Sequence, residues 1–416
     1  MLPRVVPPLF RSGLSAPSAY LDTIVRAFVA CILLWITALA PAHTAAQPQT
    51  DNPDVLFAQN VQERGSLPQA TDTFGAFAED AEALGLLGAA INNATSFIMN
   101  GSTLPVVNDI AIGNLNGDAF PDIVLATDNN FYTYINNGTG DFSSVTPTQI
   151  NSDASMTHIA LADFDGDNRD DVVFTEEEGS GHDTEIWLNG GSGTTFTRSD
   201  EVNPGTDPYA GLVVGDFTGD NVPDVAILMQ RTTNALEVYS VTTSGVLSTS
   251  PIFQANYTAS TVDLDAADID GDGTLDLLAG STAGASNVYF NDGGGSFTAQ
   301  PTGNTTATAA LADMTGDGVL DLVRVNGSDI SVWEGDGAGD FSTLVNNLTL
   351  DHTAVQVADV DGDGDVDAVT AGGASNERTV WTNDGTGFLT RDIDLSVLAS
   401  VSSIALGDLN DDGQPD

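Results

Sequence analysis

Asp359-Val360-Asp361-Gly362-Asp363-Gly364-Asp365-Val366-Asp367 sets a carboxylate at every odd position of a nine-residue stretch. Calcium takes roughly six to eight oxygen ligands in flexible geometry, and alternate residues of a turning loop point inward. Side chains at positions 1, 3, 5 and 9, with a backbone carbonyl at 7, can supply that shell. An EF-hand opens in the same way but needs a glutamate at position 12 and flanking helices. Position 12 here is Leu125, Phe174, Ile227, Ala279, Arg324 or Thr370 in the six loops that reach that far, and the flanks read as strands.

The loop is one of seven. Copies begin at Asn114, Asp163, Asp216, Asp268, Asp313, Asp359 and Asp408, with spacings of 49, 53, 52, 45, 46 and 49 residues. Each interval is the length of one four-stranded propeller blade, so the repeats predict an all-β fold, a seven-bladed β-propeller of antiparallel blades. The carbonyls at position 7 belong to Phe120, Arg169, Val222, Thr274, Val319, Asp365 and Gln414. Position 2 is always apolar (Leu115, Phe164, Phe217, Ile269, Met314, Val360 and Leu409), which predicts one core anchor per loop. Position 6 is Gly273, Gly318, Gly364 and Gly413 or Asn168 and Asn221, residues that tolerate positive φ, with Ala119 as the exception.

The elements that hold the loops are β-branched and apolar runs. Strands are predicted before the loops at Ile110 to Leu115, His158 to Phe164, Leu212 to Phe217 and Val355 to Val360. Others follow at Asp122 to Thr127, Asp171 to Thr175 and Asp224 to Leu228. Further along most repeats comes an aromatic strand, an Asn/Asp-Gly-rich turn and a Phe, as in Tyr134 to Phe142, Trp187 to Phe196, Tyr289 to Phe297, Trp333 to Phe341 and Trp381 to Phe388. This is a hairpin signal. The third repeat keeps Tyr239 with a degraded turn near Ser244 and Gly245. The aromatic row reads as packing between blades rather than a ligand platform.

Charge and composition narrow the setting. Of 416 residues, 59 are Asp or Glu and 10 are Lys or Arg, a net charge of -49. Nucleic acid and acidic membrane surfaces are therefore excluded as expected partners. Arg4, Arg11 and Arg26 precede an apolar run from Ala27 to Ala40 and small residues up to Ala46, the pattern of a secretory signal peptide over 1–46. That run is short of the roughly 20 residues that span a bilayer as a helix, so cleavage near Ala42 or Ala46 is expected over the alternative of an uncleaved anchor, with no membrane span beyond this segment. Cys31 lies within it, which leaves stability to packing and bound metal. Residues 47–83 read as a linker with a short helix around Phe74 to Leu87, and 84–416 as the repeat domain.

The loops and Phe-Gly hairpins resemble the FG-GAP repeats of integrin α-chain propellers and the related bacterial VCBS-type repeats, over roughly residues 84–416. The resemblance implies calcium loops between the first and second strands of each blade and a ligand surface made by inter-strand loops. The ligands it implies are Asn114, Asn116, Asp118 and Asp122 in blade one, and Asp163, Asp165, Asp167 and Asp171 in blade two. Blade three gives Asp216, Thr218, Asp220 and Asp224, and blade four Asp268, Asp270, Asp272 and Asp276. Blade five gives Asp313, Thr315, Asp317 and Asp321, and blade six Asp359, Asp361, Asp363 and Asp367. The last loop gives Asp408, Asn410, Asp412 and Asp416.

The chain stops at position 9 of the last loop, while Ile91-Asn92-Asn93-Ala94-Thr95-Ser96-Phe97 echoes Ile135-Asn136-Asn137-Gly138-Thr139-Gly140-Asp141-Phe142. Either the N-terminal hairpin completes the last blade or the array continues in a longer chain. The protein is accordingly expected to be a monomer or part of a longer chain.

Catalysis is not expected: the carboxylates repeat in every blade, whereas a catalytic site should break the repeat, and no nucleophile elbow, His-Glu-x-x-His or phosphate loop occurs. His158 and His352 are expected at strand edges. His182, among Glu176, Glu177, Glu178, Asp183 and Glu185, marks the least repeat-like surface, a candidate ligand contact or extra cation site weighed against a solvated loop. The reading is a secreted or cell-surface module that binds up to seven calcium ions and contacts an extracellular glycan or protein ligand in adhesion. A polysaccharide-lyase-like enzyme and a structural segment of a larger surface adhesin are the alternatives. If affinity follows ligand charge, loops one, three and five, with neutral ligands, bind calcium more weakly than loops two, four and six, in order of occupancy during a calcium titration.

Overall fold

The computed structural model describes residues 106–416, apart from 143–144, 153–154, 178–181, 234, 258–260, 283, 374–376 and 397–402. The signal sequence, the linker with its short helix and the hairpin echo at 91–97 lie outside the described residues.

Six four-stranded sheets follow one another along the chain, each a simple antiparallel meander. Their first strands are Val107–Gly113, Met156–Ala162, Tyr209–Gly215, Thr261–Ala267, Thr308–Ala312 and Ala354–Ala358. Their second strands are Asp122–Thr127, Asp171–Glu176, Asp224–Met229, Asp276–Ser281, Asp321–Val325 and Asp367–Gly372. Second strands are mostly apolar, Arg324 being an exception, and in the inner sheets a neighbouring sheet covers each face. In the first four sheets every residue of the second strand is buried.

One register recurs. The residue before each loop pairs with position 9, as Gly113↔Asp122, Ala162↔Asp171, Gly215↔Asp224, Ala267↔Asp276, Ala312↔Asp321 and Ala358↔Asp367. Gly407 and Asp416 exchange the same backbone hydrogen bonds around the last loop. The first strands thus end before the loop, earlier than the sequence suggested. Position 2, read above as the last strand residue, is bonded by a carboxylate instead of a ladder partner.

The core lies between sheets. Val124, Ala126 and Phe131 of the first sheet pack on Ile159, Leu161 and Phe174 of the second. Leu409 of the last loop packs on Ile123, Leu125 and Tyr134 of the first sheet. The aromatic row is part of this packing: Tyr134, Tyr239, Tyr289 and Trp381 are buried, and polar tips are satisfied locally, as in Trp187 Nε1 to Glu185 Oε2 at 2.7 Å and Tyr239 Oη to Glu237 Oε2 at 2.6 Å. The degraded turn of the third repeat still closes, through a single bridge between Val241 and Leu247.

The first strand of each sheet is an edge, so its outward N–H groups need acceptors. Two buried carboxylates supply them. Asp109 Oδ2 accepts Ile159 N–H of the next sheet at 3.0 Å, and Asp263 Oδ2 accepts Ala309 N–H at 2.8 Å. Asp109 Oδ1 also accepts Ile110 N–H and the Ser403 hydroxyl. His158 occupies the corresponding place in the second sheet. It lies inside its strand rather than at the strand's end, and is buried; burial lowers its pKa to about 3, and its Nδ1 faces the Thr157 and Thr175 hydroxyls. His352 is likewise buried, with Nδ1 2.9 Å from Thr370 Oγ1.

Burial pushes Asp109 up to about 7 against its three hydrogen bonds. It raises Asp263 well above the ordinary carboxylate range as well, with the Asp265 carboxylate adding to it. A folded-state pKa above the unfolded value means that stability is complete below about pH 4 and declines as pH rises toward 7, where the unfolded chain has lost the proton and the folded one still holds it. With calcium saturating, the Asp109→Asn, Asp263→Asn pair is expected to flatten the melting temperature between about pH 4 and pH 7. Superimposable wild-type and variant pH profiles would exclude these groups as the titrating ones.

Candidate metal centres

Each loop is framed by its last aspartate. Oδ2 of Asp122, Asp171, Asp224, Asp276, Asp321, Asp367 and Asp416 accepts the N–H of position 2 at 2.9 to 3.0 Å. Oδ1 of the first six accepts the N–H at the end of the third strand, from Asn136, Asn189, Val241, Asn291, Gly335 and Asn383, at 2.7 to 3.0 Å. One side chain therefore fixes loop, second strand and third strand together. Burial pushes these carboxyls up, Asp171 to about 7 and Asp122, Asp224, Asp276, Asp367 and Asp416 to about 6.

Position 1 folds the loop around its carboxylate. Asp163, Asp216, Asp313 and Asp359 accept the N–H of position 4 on Oδ1 at 2.7 to 2.8 Å. With Asp268 and Asp408 they accept that of position 6 on Oδ2 at 2.7 to 3.0 Å. Asn168 and Asn221 take φ of 64° and 65° to reach it. The first loop shows why Ala119 is tolerated. Asn114 has one side-chain oxygen, and its Nδ2 donates to Asp118 O at 2.8 Å, so no left-handed residue is demanded at position 6. Position 5 closes the turn, its Oδ1 accepting the N–H of position 7 in all seven loops at 2.8 to 3.0 Å.

In loops two, four and six, carboxylate oxygens of positions 1, 3 and 9 lie within 4.8 Å of one another: Asp163, Asp165 and Asp171; Asp268, Asp270 and Asp276; Asp359, Asp361 and Asp367. Two oxygens on one calcium ion, at roughly 2.3 to 2.6 Å from it, are at most about 5 Å apart, so these all-oxygen sets fit one such cation each. Burial and neighbouring carboxylates hold Asp165 above its ordinary range, the repulsion a cation would relieve. The other four loops carry a neutral residue at position 3 (Asn116, Thr218, Thr315 or Asn410), and among the described residues no such three-carboxylate group forms there. The carboxylates at position 5 stand outside the three groups.

The hairpin asparagines, legible in the sequence only as turn residues, do more. Asn189 Nδ2 donates to Leu115 O of the preceding loop at 2.6 Å and to Asp170 O of its own at 3.0 Å. Asn291 and Asn383 repeat this across two other seams, to Phe217 O and Met314 O, and Asn136 reaches Leu409 O of the last loop at 2.6 Å. Their fixed place after each aromatic strand was the available signal. The acidic stretch near His182 is used structurally: Glu185 is buried against Arg198 Nη1 at 2.6 Å, and His182 Nδ1 is 2.9 Å from Asp207 O. Among the described residues no cation-sized group forms there.

The FG-GAP-like repeat family matches residues 114–174, 268–324, 313–370 and 359–416, about half of the chain. No curated protein matches the chain. Among solved structures, a lectin of Agrocybe aegerita, described for recognition of non-reducing terminal N-acetylglucosamine, is similar with 20% identity and a TM-score of 0.50 over 68% of this chain and 78% of that one. BBS1N, solved in complex with ARL6DN, is similar with 10% identity and a TM-score of 0.50 over 75% of this chain and 88% of its own. The six meandering sheets, the framed loops and these likenesses make the domain a β-propeller, and the chain belongs to the FG-GAP-like repeat family.

Proposed function

We propose that this chain is a secreted, calcium-binding β-propeller that acts as an extracellular ligand-binding or adhesion module, with a glycan or a protein as its ligand. The observation that carries the reading is the framing that seven acidic loops share, each with its position-9 carboxylate on the N–H of position 2, three of which gather three carboxylates within reach of one cation. In this reading Asp163, Asp165 and Asp171, and their counterparts in loops four and six, hold the ions, which neutralise crowded charge and fasten the first strand to the second. A seven-position ring is supported by Asn136, which reaches the last loop as Asn189 reaches the first.

The role is binding rather than catalysis, because the acidic side chains repeat with the fold instead of breaking it. The signal-like sequence over 1–46 supports export. The lectin's described preference makes glycans ending in N-acetylglucosamine the first ligands to try.

Thermal unfolding in excess calcium and in chelator, with bound calcium counted, tests the metal reading. Several equivalents bound and a melting temperature lower by well over 10 °C in chelator are expected, since each filled site stabilises the folded state by mass action. No bound calcium and an unchanged melting temperature would sink it. A glycan array probed in calcium and in chelator is expected to give calcium-dependent binding without turnover. Release of new reducing or unsaturated ends from a polysaccharide would point to the enzyme alternative instead.

A further inference from the structure

Six loops have an apolar, polar or acidic residue at position 7; the second has Arg169. Its own N–H donates to Asp167 Oδ1 at 3.0 Å, and its guanidinium Nη2 donates to Asp167 Oδ2. Both oxygens of that carboxylate are therefore taken by one residue. In loop four the corresponding contact is neutral, the Thr274 hydroxyl donating to Asp272 Oδ1 at 2.6 Å. Loop six has Asp365 there. Among the described residues, no other carboxylate at positions 1, 3, 5 or 9 of a loop is in an ion pair.

The arginine is also held in place. Its stem runs over the first loop, where a Cβ added to Gly117 would meet its Cγ at 3.5 Å, and its head lies beside Gly191, where an added Cβ would meet Nη2 at 3.4 Å. The next residue is pinned to the first loop by a reciprocal pair: Asp170 N–H donates to Asn114 O at 2.8 Å, and Asn114 N–H donates to Asp170 Oδ2 at 2.6 Å. About a quarter of each charged side chain in the Arg169–Asp167 pair is exposed, so solvent screens it only in part.

We infer that Arg169 is a built-in competitor for the cation of the second loop, which makes that loop a weaker calcium site than the fourth and sixth although all three carry the same four carboxylates. A guanidinium has no lone pair to offer a metal. An entering ion must either displace it from Asp167 or bind beside a fixed positive charge, and each route lowers affinity. The inference rests on the reading of the loops as calcium sites and removes loop two from the strong set that carboxylate count alone assigns.

The test compares the full mature chain with Arg169→Thr, which gives loop two the residue of loop four, and with Arg169→Gln, which keeps the packing stem. Calorimetric calcium titration is expected to show one site tightened roughly three- to fivefold in both variants, the effect of about 1 kcal/mol, with the total unchanged. Melting in chelator should fall, because Asp167 loses its counter-charge, while melting in saturating calcium should equal or exceed wild type. Calcium binding with superimposable isotherms, or melting lowered equally in both media, would overturn the inference. A wild-type chain that binds no calcium fails the metal reading itself, a result that the isotherm separates from the other.

Discussion

The structure depends on one buried carboxylate per repeat that is bonded through both of its oxygens. The aspartate at position 9 accepts an N–H from the loop on one side and, in the six complete sheets, an N–H from the end of the third strand on the other. Without it the loop would leave a buried N–H unsatisfied at position 2, beside an apolar side chain that cannot help. Burying this acid is costly, which is why its pKa is raised. The loop thus sets a destabilised carboxylate against the place where positive charge would do most good.

That arrangement separates framing from charge within nine residues. Position 2 anchors, position 9 frames, and positions 1 and 5 shape the turn through N–H bonds that need no metal. At position 3 aspartate and asparagine serve the turn alike, Asp165 Oδ1 and Asn116 Oδ1 accepting the same N–H, that of position 5, while beside Thr218 and Thr315 that N–H is accepted by position 1. Position 3 is therefore free to set the charge of each loop while the blade geometry stays constant. The residues flanking a loop can shift that charge again, as the arginine beside the second loop does.

Much of this was legible in the sequence, because repetition removes ambiguity. A single Asp-x-Asp-x-Asp run fits several folds, but seven runs at blade spacing leave one architecture, and their apolar second residues are all buried. What was not legible required partners far away in sequence. The strand ends were misjudged because Leu115 and Phe164 look like strand residues and are bonded by a side chain instead. His158 was expected at an edge, yet the neighbouring sheet buries it. The asparagine amides read as turn chemistry, since nothing local reveals that Asn189 reaches a carbonyl 74 residues away. The ion pair of Arg169 with Asp167 joins residues two apart, but its consequence depends on a first loop that holds the arginine still.

The amide contact between Asn136 and Leu409 joins residues 273 apart in sequence with the same geometry that elsewhere joins adjacent sheets. Its chemistry is that of any other seam, yet with the bond between Ser403 and Asp109, 294 residues apart, it closes the longest stretches of chain among the described residues, and the entropy of bringing its partners together is correspondingly large. Sheets formed from local meanders can assemble in sequence order along the chain, each docking on the one before. The seam between the first sheet and the last loop can close only after the others exist, so it is the natural last step of folding and, read in reverse, the first place at which the propeller can open.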